Sequence, residues 1–152
     1  FADQLSRCRL TQTSLKTLID NNTPVLAECG GMLFLLKELA MIDGSVNRMC
    51  GFIPAKAMMK KRFQGLGLQT LRWPEGELRG HTFHHSEMTL GSEINGDKTL
   101  EPIAYGIRQR DQRRGEALFQ VGPIRCSYFH AYFPSNREAV ARFFCSHKIS
   151  TH

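Results

Sequence analysis
The sequence predicts an α/β fold, a sheet layered with helices, and three observations carry that expectation. Helix, strand and helix follow one another closely in the first third of the chain. The strand and the second helix meet at Ala27-Glu28-Cys29-Gly30-Gly31, a sharp turn with a nucleophile at its tip. Later, short alternating runs separated by glycine and proline read as antiparallel strands.

Residues 11–22 form the first expected helix. Leu15, Leu18 and Ile19 line one face, and Asn21, Asn22 and Pro24 stop it. Pro24-Val25-Leu26-Ala27 has strand length and apolar character. Apolar residues then recur at Met32, Leu35, Leu36 and Leu39, the rhythm of a helix face, so the helix is expected to run on towards Asp43 and Gly44. Helix, strand and helix in such quick succession imply a parallel sheet. Residues 49–89 carry two or three antiparallel strands, with a turn at Pro74-Glu75-Gly76. Residues 91–97 read as a surface loop. Residues 103–109 and 117–121 are expected strands around a turn at Arg113-Arg114-Gly115. Residues 125–133, rich in aromatics, are the clearest late strand. Ser135-Asn136-Arg137-Glu138 spells a capping box, and Ala139, Val140, Phe143 and Phe144 continue it as the last helix.

The chain has 152 residues, enough for one domain with its own core. No apolar run approaches the length of a membrane-spanning helix. The start, Phe1-Ala2-Asp3-Gln4, does not read as a secretory leader and lacks Met, as a fragment or a processed chain would. Cys8, Cys29, Cys50, Cys126 and Cys145 never fall in C-x-x-C spacing. That argues against a disulfide framework or a cysteine zinc site and points to a reducing cytoplasm. The net charge of +6 favours an anionic partner. The basic runs Lys60-Lys61-Arg62 and Arg108-Gln109-Arg110-Asp111-Gln112-Arg113-Arg114 lack interleaved aromatics, so solvated loops are expected there rather than a nucleic-acid surface. No G-x-x-x-x-G-K-[ST] loop is present, so this segment does not hold ATP by that route.

The cysteine turn carries the chemistry. A helix N-terminus is expected to lower the Cys29 thiol pKa, and the Gly30 N–H to face a developing oxyanion. Gly30 and Gly31 supply the small residues that a crowded turn needs. An inert core cysteine fits the same stretch. A thiol nucleophile needs a base. Of His81, His84, His85, His130, His147 and His152, His130 is the best placed, in the late aromatic strand, although a buried structural histidine reads the same way. The second cluster is Gly80-His81-Thr82-Phe83-His84-His85-Ser86-Glu87. On a strand, His81, Phe83 and His85 point one way and Thr82, His84 and Ser86 the other. His81, His85 and Glu87 do not form a clear ligand set, so no metal is expected and a structural or substrate-facing strand is favoured.

Three separated motifs resemble one family. Ala27-Glu28-Cys29-Gly30-Gly31-Met32, Gly80-His81-Thr82-Phe83-His84-His85-Ser86 and Ser127-Tyr128-Phe129-His130 are similar to the A-E-C-G-G, G-H-E-F-H-Y-S and A-S-Y-x-H-x-H patterns of the glutamine amidotransferase domain of cobyrinic acid a,c-diamide synthases. They stand in the same order and at similar separations. The G-H-x-F-H-x-S element favours this family over cobyric acid synthases, which share the cysteine motif.

The resemblance implies a class I glutamine amidotransferase-like, flavodoxin-like fold: an α/β mixed sheet with flanking helices, its N-terminal strands missing. It implies Cys29 as nucleophile and His130 as base, with Gly30, Gly31, His84 and Ser86 in oxyanion and substrate binding. Glutamine is hydrolysed through a thioester, and the ammonia amidates the a and c side chains of cobyrinic or hydrogenobyrinic acid. ATP and Mg2+ act on an upstream synthetase domain absent from this chain, and this segment itself binds no cofactor. The implied partners are glutamine, an anionic corrinoid and the synthetase domain. A homodimer is compatible with the family, and neither nucleic acid nor membrane is implied.

The chain departs from the family at Thr82, His85, Cys126 and Tyr132. Tyr132 stands where most class I amidotransferases have a triad glutamate, which implies a Cys–His dyad and leaves Glu28 and Glu87 as candidates for orienting the imidazole. In the family a P-G-G-Y-P-E-like turn supplies part of the oxyanion hole, and the start of this chain resembles the helix just after it. Residues 1–152 are therefore expected to be the C-terminal part of the domain, weakly active or inactive alone. Other readings of the motifs are the amidotransferase domain of cobyric acid synthase, another cysteine amide hydrolase, or a non-catalytic degenerate module.

Overall fold
Helices α1 (Ala2–Ser6) and α2 (Arg9–Asp20) lead into strand β1 (Val25–Glu28), and α3 (Gly30–Leu35) follows Cys29 directly. Strands β2 (Leu36–Ala40), β3 (Val46–Arg48), β4 (Ile53–Met59), β5 (Gly65–Trp73), β6 (Gly76–His84) and β7 (Ser86–Leu90) come next. Then follow β8 (Pro102–Arg108), β9 (Arg114–Val121), β10 (Ile124–Ser127), β11 (Phe129–Ala131), a 3-10 turn (Phe133–Ser135) and α4 (Arg137–Cys145). The structure is a computed structural model that describes residues 2–90 and 100–145. The loop expected over residues 91–97, and His147 and His152, lie outside the described residues.

The strands form a seven-stranded sheet in the order β1-β10-β9-β8-β5-β6-β11 and a four-stranded sheet in the order β3-β2-β4-β7. Only Tyr128 separates β10 from β11 along the chain, yet they stand near opposite ends of the larger sheet. That sheet therefore curls until β11 comes round towards β10. The parallel pairs are β1 with β10 and β2 with β4, and the remaining pairs are antiparallel. The mixed α/β character matches expectation; the dominance of antiparallel pairing does not follow from the helix–strand–helix start.

The largest correction concerns the helix after Cys29. It ends at Leu35, and Leu36 is already extended, with φ −65° and ψ 171°. Leu36 pairs with Ile53 and Leu39 with Ala57, across β2 and β4. Leu35, Leu36 and Leu39 are buried either way, so their spacing does not distinguish helix from strand. Burying each of Leu36 and Ile53 contributes about 1.5–3 kcal/mol, and the partner strand β4 decides the geometry. These side chains join Met32, Ile124 and Cys126 in the larger core cluster.

Smaller corrections follow the same logic. The region over residues 49–89 holds β4, β5, β6 and β7, with the β5–β6 turn at Pro74 and Glu75 as expected. The turn between β8 and β9 falls before Arg114, and Gly115 lies inside β9. Gly115 is there for space: a Cβ would meet Gln69 Oε1 at 2.0 Å. The late aromatic strand is broken at Tyr128 into β10 and β11. Asn136, not Ser135, caps α4, its Oδ1 accepting from the Ala139 N–H at 3.0 Å, while Ser135 Oγ accepts from the Arg79 N–H at 3.0 Å.

Candidate active site
Cys29 occupies the junction of β1 and α3 in a conformation that costs energy. Its φ is +46° and ψ −109°, a region an L-residue rarely enters. The turn is held from both sides: the Cys29 N–H donates to Ser127 O at 2.9 Å, and its carbonyl accepts from the Leu33 N–H at 3.0 Å. The strain sits on the cysteine itself. A Cβ at Gly30 or Gly31 would meet nothing within 4 Å, so crowding does not explain these glycines.

The thiol is half-buried, and its sulfur lies 3.9 Å from the Phe83 carbonyl oxygen. Burial pushes its pKa up. The Gly30 N–H pulls it down, and the charges of Glu116 and Glu28 push it up again. The expected lowering by the helix N-terminus is therefore overturned. A six-residue helix offers one N–H to the sulfur, and burial, with the charges of Glu116 and Glu28 added to it, outweighs that N–H.

His130 stands on β11 opposite His81 of β6, and the two rings stack with centroids 4.9 Å apart. Glu28, the residue before Cys29, reaches the same place. Its Oε1 accepts from the Ala131 N–H at 2.8 Å, and its Oε2 lies 4.0 Å from His130 Nδ1. Burial pushes the Glu28 carboxyl up, with the Ala131 N–H, His130 and His81 pulling against it. Of the two carboxylates considered for orienting His130, Glu28 is the one beside it; Glu87 pairs with Lys60 at 2.9 Å. Tyr132 begins the next turn with its ring exposed.

His84 and Ser86 lie in a second, buried group. The alternation along residues 81–86 holds as expected: Thr82, His84 and Ser86 are buried, while His81 and Phe83 are exposed. His84 Nδ1 is 2.7 Å from Ser86 O and Nε2 is 3.1 Å from Glu116 Oε1. The His84 ring stacks on Tyr128 at 3.7 Å, and the Ser86 hydroxyl donates to the Tyr128 oxygen at 2.9 Å. Sequence reasoning missed Glu116 and Tyr128. Glu116 follows Gly115 in a run that read as a turn, and Tyr128 was read as one more aromatic in a strand.

Two cavities adjoin these groups. One of about 300 Å³ is lined by His84, Ser86, Glu116 and Tyr128. The other, about 670 Å³, is lined by Arg72, Arg79, His81 and Tyr132. Among the described residues no three His, Cys, Asp or Glu side chains gather as a metal-ligand group. No helix among them is long and apolar enough to cross a membrane.

A strained cysteine at a strand-to-helix turn, in a mixed α/β fold, is the pattern of the class I glutamine amidotransferases. The chain belongs to the CobB/CobQ-like glutamine amidotransferase domain family, which it matches over residues 1–138. It is 44% identical over 118 residues to a hydrogenobyrinate a,c-diamide synthase of Pseudomonas aeruginosa, covering 78% of this chain and 25% of that protein. A cobyrinate a,c-diamide synthase of Herminiimonas arsenicoxydans is 39% identical over 140 residues, covering 92% of this chain and 30% of that protein. The chain thus spans between a quarter and a third of the length of these relatives.

Proposed function
We propose that this chain is the glutaminase part of an ATP-dependent corrinoid amidase of the cobyrinic acid a,c-diamide synthase type. The observation that supports the reading is the strained Cys29 at its strand-to-helix turn, with Glu28, one residue before it, reaching to 4.0 Å from His130 Nδ1. Cys29 attacks the side-chain amide of glutamine. His130 takes the thiol proton and passes it to the leaving ammonia, giving a thioester that water then hydrolyses. The Gly30 N–H, already directed at the sulfur, supports the developing oxyanion. The ammonia goes to the a and c carboxyl groups of an anionic corrinoid. Arg72 and Arg79, on the 670 Å³ cavity beside His81, offer cationic groups to such a substrate.

The sequence of this segment has no G-x-x-x-x-G-K-[ST] phosphate loop to hold Mg2+-bound ATP. Nucleotide chemistry is therefore assigned to a synthetase domain outside this segment, and a cytoplasmic setting suits it. Strand β1 has β10 as its one strand neighbour among the described residues. Exposed strand edges promote association, and the segment alone is expected to hydrolyse glutamine poorly. The test is Cys29→Ser in the intact protein. It should abolish glutamine-dependent amidation and leave ammonia-dependent amidation in place. Glutamine use retained in that variant would sink the reading.

A further inference from the structure
Strand β6 meets both residues of the proposed reaction. Its Phe83 carbonyl lies 3.9 Å from Cys29 Sγ, and two positions earlier His81 stacks on His130. The Cys29–His130 chemistry leaves His81 without a task.

The backbone builds the stack. Strands β6 and β11 are antiparallel neighbours, and His81 stands directly opposite His130. Opposite residues on adjacent strands send their side chains to the same face. Thr82 and Phe129, the next pair, are buried at 2% exposure each, so the two histidines share the outer face. On the other side Gly80 pairs with Ala131. A Cβ on Gly80 would meet the His130 carbonyl oxygen at 2.0 Å and the Phe129 ring at 2.5 Å. The glycine therefore lets β11 lie close against β6 and brings the imidazoles together. Their centroids are 4.9 Å apart and their planes within 12°, the arrangement of offset-stacked rings.

Little else holds the His130 ring. It makes no hydrogen bond among the described residues, and Glu28 Oε2, 4.0 Å from Nδ1, is beyond hydrogen-bond reach. The His130 side chain is 33% exposed, so packing does not cage it. Glu28 thus acts on the ring as a charge, and contact with His81 sets the ring's plane. His81 in turn stands between His130 on β11 and Leu68, its opposite residue on β5. Its own ring makes no hydrogen bond among the described residues, so what it offers His130 is a flat face.

We propose that His81 is a positioning residue for glutamine hydrolysis: stacked on His130, it fixes the plane of the imidazole that takes the Cys29 proton. The inference rests on the glutaminase reading. The role needs a flat ring at position 81, not a proton or a hydrogen bond. A base out of alignment transfers the proton poorly, and small misplacements cost up to about 10²-fold in rate.

The experiment measures steady-state glutamine hydrolysis by the intact protein and by His81→Ala, His81→Leu and His81→Phe. His81→Ala removes the stack and should lower kcat about 10–100-fold with KM little changed. His81→Leu restores apolar volume without a flat face and should stay near His81→Ala. His81→Phe restores the flat face without ring nitrogens and should recover most of the lost rate. Position 81 is exposed, so all three should keep the unfolding temperature of the unmodified protein. Unchanged kcat in His81→Ala overturns the inference, as does a fall in kcat that tracks a fall in unfolding temperature. So does His81→Phe staying as slow as His81→Ala, which would give the His81 nitrogens a role of their own. His81→Leu matching His81→Phe would reduce the residue to filling space, and a rise in KM alone would make it a substrate contact; either overturns the inference. All these results leave the glutaminase reading standing, whereas no glutamine hydrolysis by the unmodified protein overturns both.

Discussion
Glu28 and His130, 102 positions apart in the sequence, meet with Oε2 4.0 Å from Nδ1 while the other Glu28 oxygen accepts from the Ala131 N–H. One carboxylate thereby fixes both the strand that carries the imidazole and the field at its Nδ1. Its position directly before Cys29 ties the cysteine turn to the strand that carries His130. On the proposed mechanism Glu28 would supply, from a different element, what a triad glutamate at position 132 supplies elsewhere.

Glu28→Gln separates the two jobs. The amide oxygen still accepts from the Ala131 N–H, so the strand stays in place, but the negative charge is gone. Glutaminase kcat should fall by about 10–100-fold, with KM little changed, in line with losing one preorganised electrostatic group. The ionised carboxylate is the working form, and burial raises its pKa, so the acid limb of the rate profile should lie above the ordinary carboxylate range and vanish in Glu28→Gln. An unchanged acid limb would assign it elsewhere.

Tyr132→Phe should cost less than about twofold in kcat/KM, because the ring is exposed and surface changes are usually small. His130→Asn should remove thioester formation. Trapping of the acyl-enzyme distinguishes the two, and a comparable defect in Tyr132→Phe would give the phenol a role in the chemistry.

The sequence shows the site better than it shows the sheet. A strand, a cysteine and a helix start are local features, and β1, Cys29 and α3 appear where the residues place them. The alternation of residues 81–86 is local as well, and it separates buried His84 from exposed His81 correctly. Pairing is not local. Leu36 and Leu39 satisfy a helical rhythm, and only the β4 partner makes them a strand. Gly115 reads as a turn signal until Gln69 is seen crossing it. Glu116 came into view for the same reason: its partners His84 and Thr82 lie 32 and 34 positions away.

The Arg125–Glu75 pair should set the acid stability of the larger sheet. Arg125 is buried on β10, its Nη2 donating to Glu75 Oε1 at 2.7 Å and its Nη1 to Oε2, with the guanidinium 4.4 Å from the Phe143 ring centroid. Burial pushes the Glu75 carboxyl up, but the Arg125 hydrogen bonds and charge outweigh it and hold the pKa below the usual range. A lowered folded pKa adds stability above the unfolded value of about 4.3 and loses it as pH falls through the folded value. Glu75→Gln should flatten that acid loss in a denaturation series. Arg125→Met and Arg125→Ala both leave the Glu75 carboxylate unpaired, at a cost of about 3–5 kcal/mol, and Met should cost less than Ala only by the packing its longer side chain keeps.

The resting reactivity of Cys29 provides the sharpest check on the electrostatics. A depressed pKa would make it the fastest thiol to alkylate near neutral pH. Here burial raises it, and Glu116 and Glu28 add to that against the Gly30 N–H. Cys8 and Cys145 are exposed, whereas burial pushes Cys50 up to about 11 and Cys126 up to about 12. Peptide-resolved alkylation without glutamine should therefore modify Cys8 and Cys145 first, then Cys29, and Cys50 and Cys126 last. The Cys29 rate should still be climbing above pH ~8.5, the ordinary thiol value. On the proposed mechanism the thiolate forms mainly as His130 takes the proton during turnover, so glutaminase activity should plateau at a lower pH than alkylation does. Cys29 reacting first at neutral pH would show that the turn outweighs burial and the two carboxylates, and the base would then have no proton to remove.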